Sequence, residues 1–133
     1  MKKLLILLIS LLTSYISYSQ GLNESYNVVY SKIKNGEFKD ITFNTNDDRK
    51  WINAYSKIGW NCYGFPIDGN ICDMVITMPY TAELVSGMAE YFNSHLVIVD
   101  SHNWNTYRQD GSLARVTLKS VDGNLVFYIY NIE

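Results

Sequence analysis

The C-terminal third of this 133-residue chain carries two Asp-Gly pairs, at residues 110–111 and 122–123, and each pair lies between segments of strand-like composition. Asp-Gly is a pair that two-residue hairpin turns favour, because both central residues of a type I′ turn have positive φ. The two turns therefore predict a three-stranded antiparallel meander. They also predict its register, since the position of each tight turn sets every cross-strand pair beyond it.

Counting outward from both turns divides the meander into an apolar face and a mixed face. The second turn pairs Thr117 with Tyr128 and Arg115 with Tyr130 on the mixed face. The first turn places Trp104 opposite Thr117, on the same face. The predicted mixed face has the following side chains: His102, Trp104, Thr106, Arg108, Arg115, Thr117, Lys119, Tyr128 and Tyr130.

Two hypotheses explain the composition of this mixed face. It holds three cations, one histidine, three large aromatic residues and no carboxylate, in a chain whose formal charge is -2. Aromatic rings and guanidinium groups can contact sugars, anions or protein side chains, which would make the face a recognition surface. Thr, Tyr and Arg are also good strand residues, so a solvated face without a ligand explains the same pattern. On the first hypothesis the ligand-binding residues are Trp104, Arg115, Lys119, Tyr128, Tyr130 and His102.

Apolar residues recur at helical spacing in three other segments, residues 22–33, 51–58 and 84–92. The second segment follows Asn46 and two aspartates, which favour a helix N-terminus, and the third follows Thr81, a good N-cap residue. These patterns predict about three helices.

Two apolar runs predict strands. One lies near residues 73–79 and ends at a proline, and the other, residues 96–99, is continuously apolar, as in a central strand covered on both faces. Residues 41–43 alternate weakly and indicate a short strand or an extended link. With the meander, these segments predict an α+β fold in which an antiparallel sheet has its helices packed on one face.

The N-terminus has the pattern of a signal peptide. Residues 1–3 are positively charged at two positions, residues 4–12 are apolar, and small residues precede Gln20 at the two positions that a signal peptidase reads. We expect a signal peptide over residues 1–19 and a single domain over residues 20–133. The apolar run is shorter than the about 20 residues that a membrane-spanning helix needs, so we expect an exported periplasmic or extracellular protein without membrane attachment.

Composition argues against several classes of protein. The chain is 14% aromatic and has 8 Gly and 2 Pro, which argues against a disordered or collagen-like chain. Removal of the two N-terminal lysines with the signal peptide leaves 9 of the 11 cations against 13 anions. An acidic domain of this kind lacks the excess of cations that binds nucleic acid, so no nucleic-acid partner is expected.

Cys62 and Cys72 are the two cysteines of the chain. An exported protein folds in an oxidising compartment, and the intervening segment is rich in turn residues, so we expect a disulfide between them. The alternative is a cysteine nucleophile. It is disfavoured because no cation or base lies near either cysteine in the sequence to activate the thiol.

The segment from His95 to His102 contains Asp100 and Ser101 and invites a catalytic or metal-binding interpretation. In an extended strand the two histidines point to opposite faces and lie about 23 Å apart, so they cannot share a metal. Asp100 and His102 fall on one face, where the carboxylate could orient the imidazole, while Ser101 points away. We expect His95 at the end of the third helix. No motif predicts a cofactor or a metal site, because the residues around Asp68 fit only part of a calcium loop.

These observations leave three hypotheses for function. The first is an exported, non-enzymatic binding module whose mixed sheet face engages a protein, glycan or anionic partner. The second is an inhibitor or immunity-type protein that blocks an enzyme with the segment between the cysteines, with Tyr63 and Phe65 exposed. The third is a small hydrolase that uses Asp100 and His102.

Overall fold

The computed structural model describes residues 21–107 and 112–132. The predicted signal peptide, Arg108 and the Asp110-Gly111 turn lie outside the described residues. The described chain forms, in order, α1 (Tyr26–Asn35), β1 (Lys39–Thr45), β2 (Arg49–Tyr55), β3 (Gly59–Pro66), β4 (Met74–Pro79), α2 (Ala82–His95), β5 (Val97–Asp100), β6 (Asn103–Tyr107), β7 (Leu113–Val121) and β8 (Asn124–Asn131).

All eight strands belong to one sheet in the order β1-β2-β3-β4-β8-β7-β6-β5, and every neighbouring pair is antiparallel. The predicted α+β class is confirmed. The described residues contain two long helices rather than about three, and the sheet is correspondingly larger than the sequence predicted. The strand expected near residues 73–79 is β4, at the centre of this sheet.

The prediction of a second helix over residues 51–58 is wrong, because residues 49–55 form strand β2 instead. Asn46 makes a turn rather than a helix cap: its side-chain oxygen accepts hydrogen bonds from the backbone N–H groups of Asp48 (3.0 Å) and Arg49 (2.7 Å). This turn connects β1 to β2. The β2 side chains then alternate, with Ile52 and Ala54 in the core and their neighbours on the other face.

The two predicted helices on either side of that segment are confirmed, and each is capped by a hydroxyl. The Ser25 side chain accepts from the Val28 N–H at the start of α1, and the Thr81 side chain accepts from the Leu84 N–H at the start of α2. Both helices lie against the same face of the sheet, because their buried residues share one core cluster with Ile52, Val75, Val116, Phe127 and other residues of that face. Neither helix in the described part of the chain is long and apolar enough to span a bilayer.

The β7–β8 hairpin has the predicted register, from Val121 opposite Asn124 to Arg115 opposite Tyr130. Its turn residues, Asp122 (φ 50°) and Gly123 (φ 82°), both have the positive φ that a type I′ turn needs. The second Asp-Gly pair therefore determines this hairpin as the sequence predicted.

The predicted β6–β7 register is wrong by one residue. Trp104 pairs with Val116, and Tyr107 pairs with Leu113, rather than with Thr117 and Ala114. Because side chains alternate along a strand, this shift moves Trp104 to the helix-covered face, where it is 1% exposed. Burial of the large indole against α2 favours this register over the one counted from the turn.

Strand β5 is also placed differently from the prediction. The continuous apolar run at residues 96–99 predicts a central strand, but β5 lies at the edge of the sheet and all four of its residues are exposed. Its only strand neighbour within the described residues is β6.

The fold consists of two halves that each contain one helix followed by four antiparallel strands. The last strands of the halves, β4 and β8, pair at the centre, with Ile76 opposite Tyr128. Counting outward from this pair makes Cys62 on β3 equivalent to Thr117 on β7, and Asn53 on β2 equivalent to Asn103 on β6. The halves share topology without a detectable sequence repeat.

Candidate binding face

One face of the sheet is covered by α1 and α2, and the opposite face carries no helix of the described chain. Strand register assigns every second residue to this opposite face, which we call the open face. The open face includes Trp51, Asn53, Tyr55, Trp60, Cys62, Gly64, Met74, Ile76, Met78, Val126, Tyr128, Tyr130, Arg115, Thr117, Lys119, Asn103 and Asn105.

The centre of the open face is apolar and partly exposed. Met74, Ile76 and Met78 of β4 lie between Trp60 of β3 and Tyr128 of β8, and all five side chains are intermediate in exposure. Their equivalents on the helix-covered face, such as Val75, are buried. A surface several strands wide therefore presents aromatic, thioether and aliphatic groups to solvent.

Trp51 extends this apolar surface across β3 because the residue opposite it is Gly64. A Cβ atom at position 64 would lie 2.6 Å from Cζ3 of the indole, so the ring occupies the space that a side chain would fill. The Arg49 guanidinium lies 5.0 Å from the centre of the Trp51 ring and forms an ion pair with Asp73. Stacking and the ion pair together hold the indole in place.

Two hydrogen-bonded polar groups flank the apolar centre at equivalent positions in the two halves. On β2, Asn53 donates to the Asn44 side chain and accepts a hydrogen bond from the Cys62 thiol. On the other side, the Thr117 hydroxyl donates to Asn103 Oδ1 over 2.7 Å. Asn53 and Thr117 are 5% and 8% exposed, so these bonds satisfy polar groups that are buried beneath the surface.

Besides Arg49, which stacks on Trp51, two cations of the open face lie on β7. Arg115 Nε donates to Asn105 Oδ1 over 3.0 Å, and Lys119 Nζ lies 5.3 Å from the centre of the Tyr128 ring. None of the residues listed above is a carboxylate, but Asp100 of β5 lies opposite Asn103 and accepts hydrogen bonds from its side-chain amide. Among the described residues, neither Arg115 nor Lys119 forms an ion pair with a carboxylate.

The structure brings together five of the residues predicted for the mixed face: Arg115, Thr117, Lys119, Tyr128 and Tyr130. Trp104 and Thr106 lie on the helix-covered face, and the Trp104 indole donates to Asn93 Oδ1 over 2.8 Å. His102 lies in the exposed turn between β5 and β6. The first hairpin therefore contributes different residues, Asn103 and Asn105, to the open face.

The half of the open face that β2, β3 and β4 supply is not predicted from the sequence. Helical spacing places Trp51 in the stripe of a predicted helix, and no sequence pattern assigns Trp60 or Met74 to a face. Alternation in residues 51–55, with Ile52 and Ala54 between polar or aromatic neighbours, is the signal that identifies the strand.

The predicted disulfide is absent, because Cys62 and Cys72 are both free and buried. Cys62 is part of β3 and donates to Asn53 beneath the open face, whereas Cys72 packs in the core on the helix side and donates to the Met74 carbonyl. The two thiols thus point to different sides of the sheet. Burial raises the pKa of each cysteine to about 12, so neither is an activated nucleophile.

The Asp100, Ser101 and His102 side chains do not have the predicted arrangement. The imidazole Nδ1 lies 2.7 Å from the Ser101 hydroxyl, and Asp100 accepts from the backbone N–H of His102 over 2.8 Å. That backbone hydrogen bond is the main reason why the pKa of Asp100 is lowered. All three residues are exposed, and Asp100 organises the turn rather than the imidazole.

His95 lies at the end of α2, as predicted, with Nδ1 3.0 Å from the Tyr91 carbonyl and its ring stacked on Tyr91 at 4.0 Å. In the part of the chain that the structure describes, no three His, Cys, Asp or Glu side chains are grouped to hold a metal ion. Tyr63 and Phe65 are 1% and 0% exposed. The segment between the cysteines therefore does not present these two rings to an enzyme, contrary to the sequence prediction.

Comparison of the chain with protein-family models, with curated proteins and with solved structures gives no match.

Proposed function

We propose that the chain is an exported, non-enzymatic binding module that docks a protein partner on its open face. The observation that carries this proposal is that helices cover one side of the sheet and leave a broad aromatic and apolar surface on the other. A solvated sheet face would be expected to alternate apolar core residues with polar outer residues. The central outer residues here are mostly apolar.

The composition of the open face favours a protein over a glycan. Cores of protein interfaces are enriched in Trp, Tyr, Met and Arg and depleted in Asp, Glu and Lys. Met74, Ile76 and Met78 occupy the central strand of the face, where they offer no hydrogen bonds to sugar hydroxyls. Thioether side chains adapt to an apolar protein surface instead.

The polar groups around that centre support a preorganised docking surface. Asn53, Thr117 and Asn103 already have hydrogen-bond partners within the sheet. Trp51 is fixed against Gly64 and Arg49. Groups that are ordered before binding lose less conformational entropy when a partner docks, which favours affinity.

Charge gives a further property of the partner. Arg115 and Lys119 lie beside the apolar centre, and their described neighbours on the open face include no carboxylate. We infer that the partner carries carboxylates at the corresponding positions, since complementary charge increases association rate and fixes orientation. The predicted signal peptide indicates that the encounter takes place outside the cytoplasm.

The proposal is tested with two double variants, each of which removes one aromatic ring and reverses one lysine charge, on opposite sides of the molecule. One is Trp60→Ala with Lys119→Glu on the open face. The other, the matched control, is Phe43→Ala with Lys34→Glu, where Phe43 is 55% exposed and contacts Tyr30 on the helix side. Each variant is used to recover proteins from the exported fraction of the producing cells, and its melting temperature is recorded.

A partner specific to the open face is expected to be recovered by the wild type and the control, and at least about tenfold less by the open-face variant. Equal recovery by both variants would contradict the proposal. If the open-face variant instead loses binding to a purified polysaccharide and no protein is recovered, the face binds a glycan and the protein partner is wrong.

A further inference from the structure

Strand β5 forms an edge of the sheet that is unusually apolar. Val97, Ile98 and Val99 are 52%, 56% and 47% exposed, and Tyr107 on the adjacent strand is 66% exposed. Proteins commonly protect sheet edges with charged residues or irregular backbone, because an exposed edge can pair with another chain. A run of three β-branched residues on an edge lacks the first kind of protection.

The opposite edge, β1, shows how this chain protects an edge elsewhere. Its sequence, Lys-Asp-Ile-Thr-Phe-Asn-Thr, is mostly polar, and Asp40 has a positive φ of 52°. Both edge strands pair irregularly with their neighbour, β1 between Lys39 and Thr42 and β5 between Ile98 and Asp100. The two edges therefore differ in their side chains, which are mostly polar on β1 and apolar at residues 97–99 of β5.

Both sides of β5 are apolar. Val97 is opposite Asn105 on the open face, and Ile98 is opposite Trp104 on the helix-covered face. The sequence of residues 96–99 is typical of a strand that is covered on both faces. Val97, Ile98 and Val99 are instead exposed, and a second strand along the free edge of β5 would cover part of each side chain.

We propose that this second strand is β5 of another copy of the chain, paired antiparallel across a two-fold axis. A two-fold contact requires a surface that complements itself. Pairing centred on Ile98 places Val97 opposite Val99 of the other copy and brings the α2 end of β5, with His95, towards the Asp100 end of the other β5. The two-fold axis repeats this contact. On each side of the apolar centre, the His95 imidazole of one copy therefore lies near the Asp100 carboxylate of the other.

The groups at the ends of β5, His95 and Asp100, are both exposed. His95 Nδ1 lies beside the Tyr91 carbonyl, which leaves Nε2 available to a second molecule. Asp100 accepts hydrogen bonds from His102 and Asn103, which fix its position in the turn. A strand of a different protein could pair with the same backbone, but it would need to supply both an imidazole and a carboxylate at its ends. A second copy of the chain already has these groups, His95 and Asp100.

Such a dimer joins two eight-stranded sheets edge to edge. Because the two-fold axis is perpendicular to the sheet, both open faces lie on the same side and Val97 of each copy lies between them. The dimer does not require a partner on the open face, because the two copies contact each other through the edge of β5.

The test measures the oligomeric state of the mature wild-type protein, residues 20–133, by sedimentation over a broad concentration range. It includes Ile98→Lys on β5 and Val121→Lys, a matched control at the exposed end of β7, where Val121 is 38% exposed. We expect a dimer for the wild type and the control, and a dissociation constant about 100-fold or more higher for I98K with unchanged circular dichroism. A monomeric wild type at all concentrations would overturn the proposal.

Backbone amide hydrogen exchange provides a measurement that does not depend on a variant folding. As the protein concentration rises, exchange at residues 97–99 should slow, while exchange along β1 should not change. Slowing at β1 rather than β5, or persistence of the dimer in folded I98K, would show that another surface makes the contact.

Discussion

Trp104 connects the sheet to α2 more extensively than its position next to a turn suggests. Its ring lies 5.5 Å from that of Phe92 and 6.3 Å from that of Phe127, and its indole N–H donates to Asn93. These contacts satisfy both the apolar body and the polar end of the side chain. They explain why β6 adopts the register that buries Trp104 and leaves Asn103 and Asn105 on the open face.

Trp104→Ala should lower the free energy of unfolding by about 3–5 kcal/mol, because it removes a fully buried aromatic side chain and leaves a cavity. Trp60→Ala should cost less, since Trp60 is partly exposed on the open face. Urea denaturation of both variants measures the difference. Equal losses would contradict the assignment of these two indoles to different faces.

The buried thiols predict the behaviour of the protein at high pH. Burial raises the pKa of Cys62 and Cys72 from 9.0 to about 12 and also raises the pKa of Tyr63. The folded state therefore holds protons that the unfolded state releases first. The contribution of the protonated thiols to the free energy of unfolding is fully present below pH 9 and is lost as pH rises towards about 12.

The free energy of unfolding, measured by urea denaturation at successive pH values, should fall over this interval. The double variant Cys62→Ala with Cys72→Ala should show a smaller decrease with pH, even though its stability at neutral pH is lower. Alkylation after denaturation without a reductant should modify both cysteines. A disulfide-linked protein that resists alkylation would contradict the arrangement of free thiols.

Among the elements, the β7–β8 hairpin depends most on local sequence. Gly123 has φ 82°, and a Cβ atom there would meet nothing within 4 Å. The cost of Gly123→Ala is therefore conformational rather than steric crowding, and we expect a loss of about 1 kcal/mol in the free energy of unfolding. Asn124→Ala, at the adjacent exposed position, is the control. A neutral Gly123→Ala would argue against the type I′ turn.

Some helices and strands can be predicted from the local sequence and others cannot, for physical reasons. The helices around Val29 and Met88 each have one apolar stripe and a hydroxyl residue at the N-cap. The spacing of the apolar residues and the capping residue therefore indicate the same helix. Residues 51–58 have apolar groups on both sides of β2, which makes strand alternation resemble a helical stripe. The run at 96–99 is apolar on both sides, and its pattern does not distinguish a central strand from an edge that another chain covers.

At the scale of the whole molecule, the two halves have the same topology but bury different residues at equivalent positions. Ala54 of β2 corresponds to Trp104 of β6, and Cys62 of β3 corresponds to Thr117 of β7. The relation between the two halves is therefore visible in the strand order and not in the sequence. The eight-stranded sheet therefore could not be predicted from either half alone.

The candidate face was predicted only where local turn chemistry fixed the register. Arg115, Lys119 and Tyr128 follow from counting outward from one Asp-Gly turn. Trp51 and Trp60 join them through the pairing of β4 with β8, a contact between residues about fifty positions apart in sequence. Such long-range pairing depends on the packing of the whole sheet, and no local pattern specifies it.

Hydroxyl-radical footprinting of the free protein and of its complex with a recovered partner tests the central claim most directly. In the free protein, Trp51, Trp60 and Tyr128 should be oxidised and Trp104 should be protected. In the complex, protection should spread over the three open-face residues while Phe43 on the helix side stays reactive. Protection of Phe43 with continued oxidation of Trp60 and Tyr128 would contradict the claim that the partner docks on the open face.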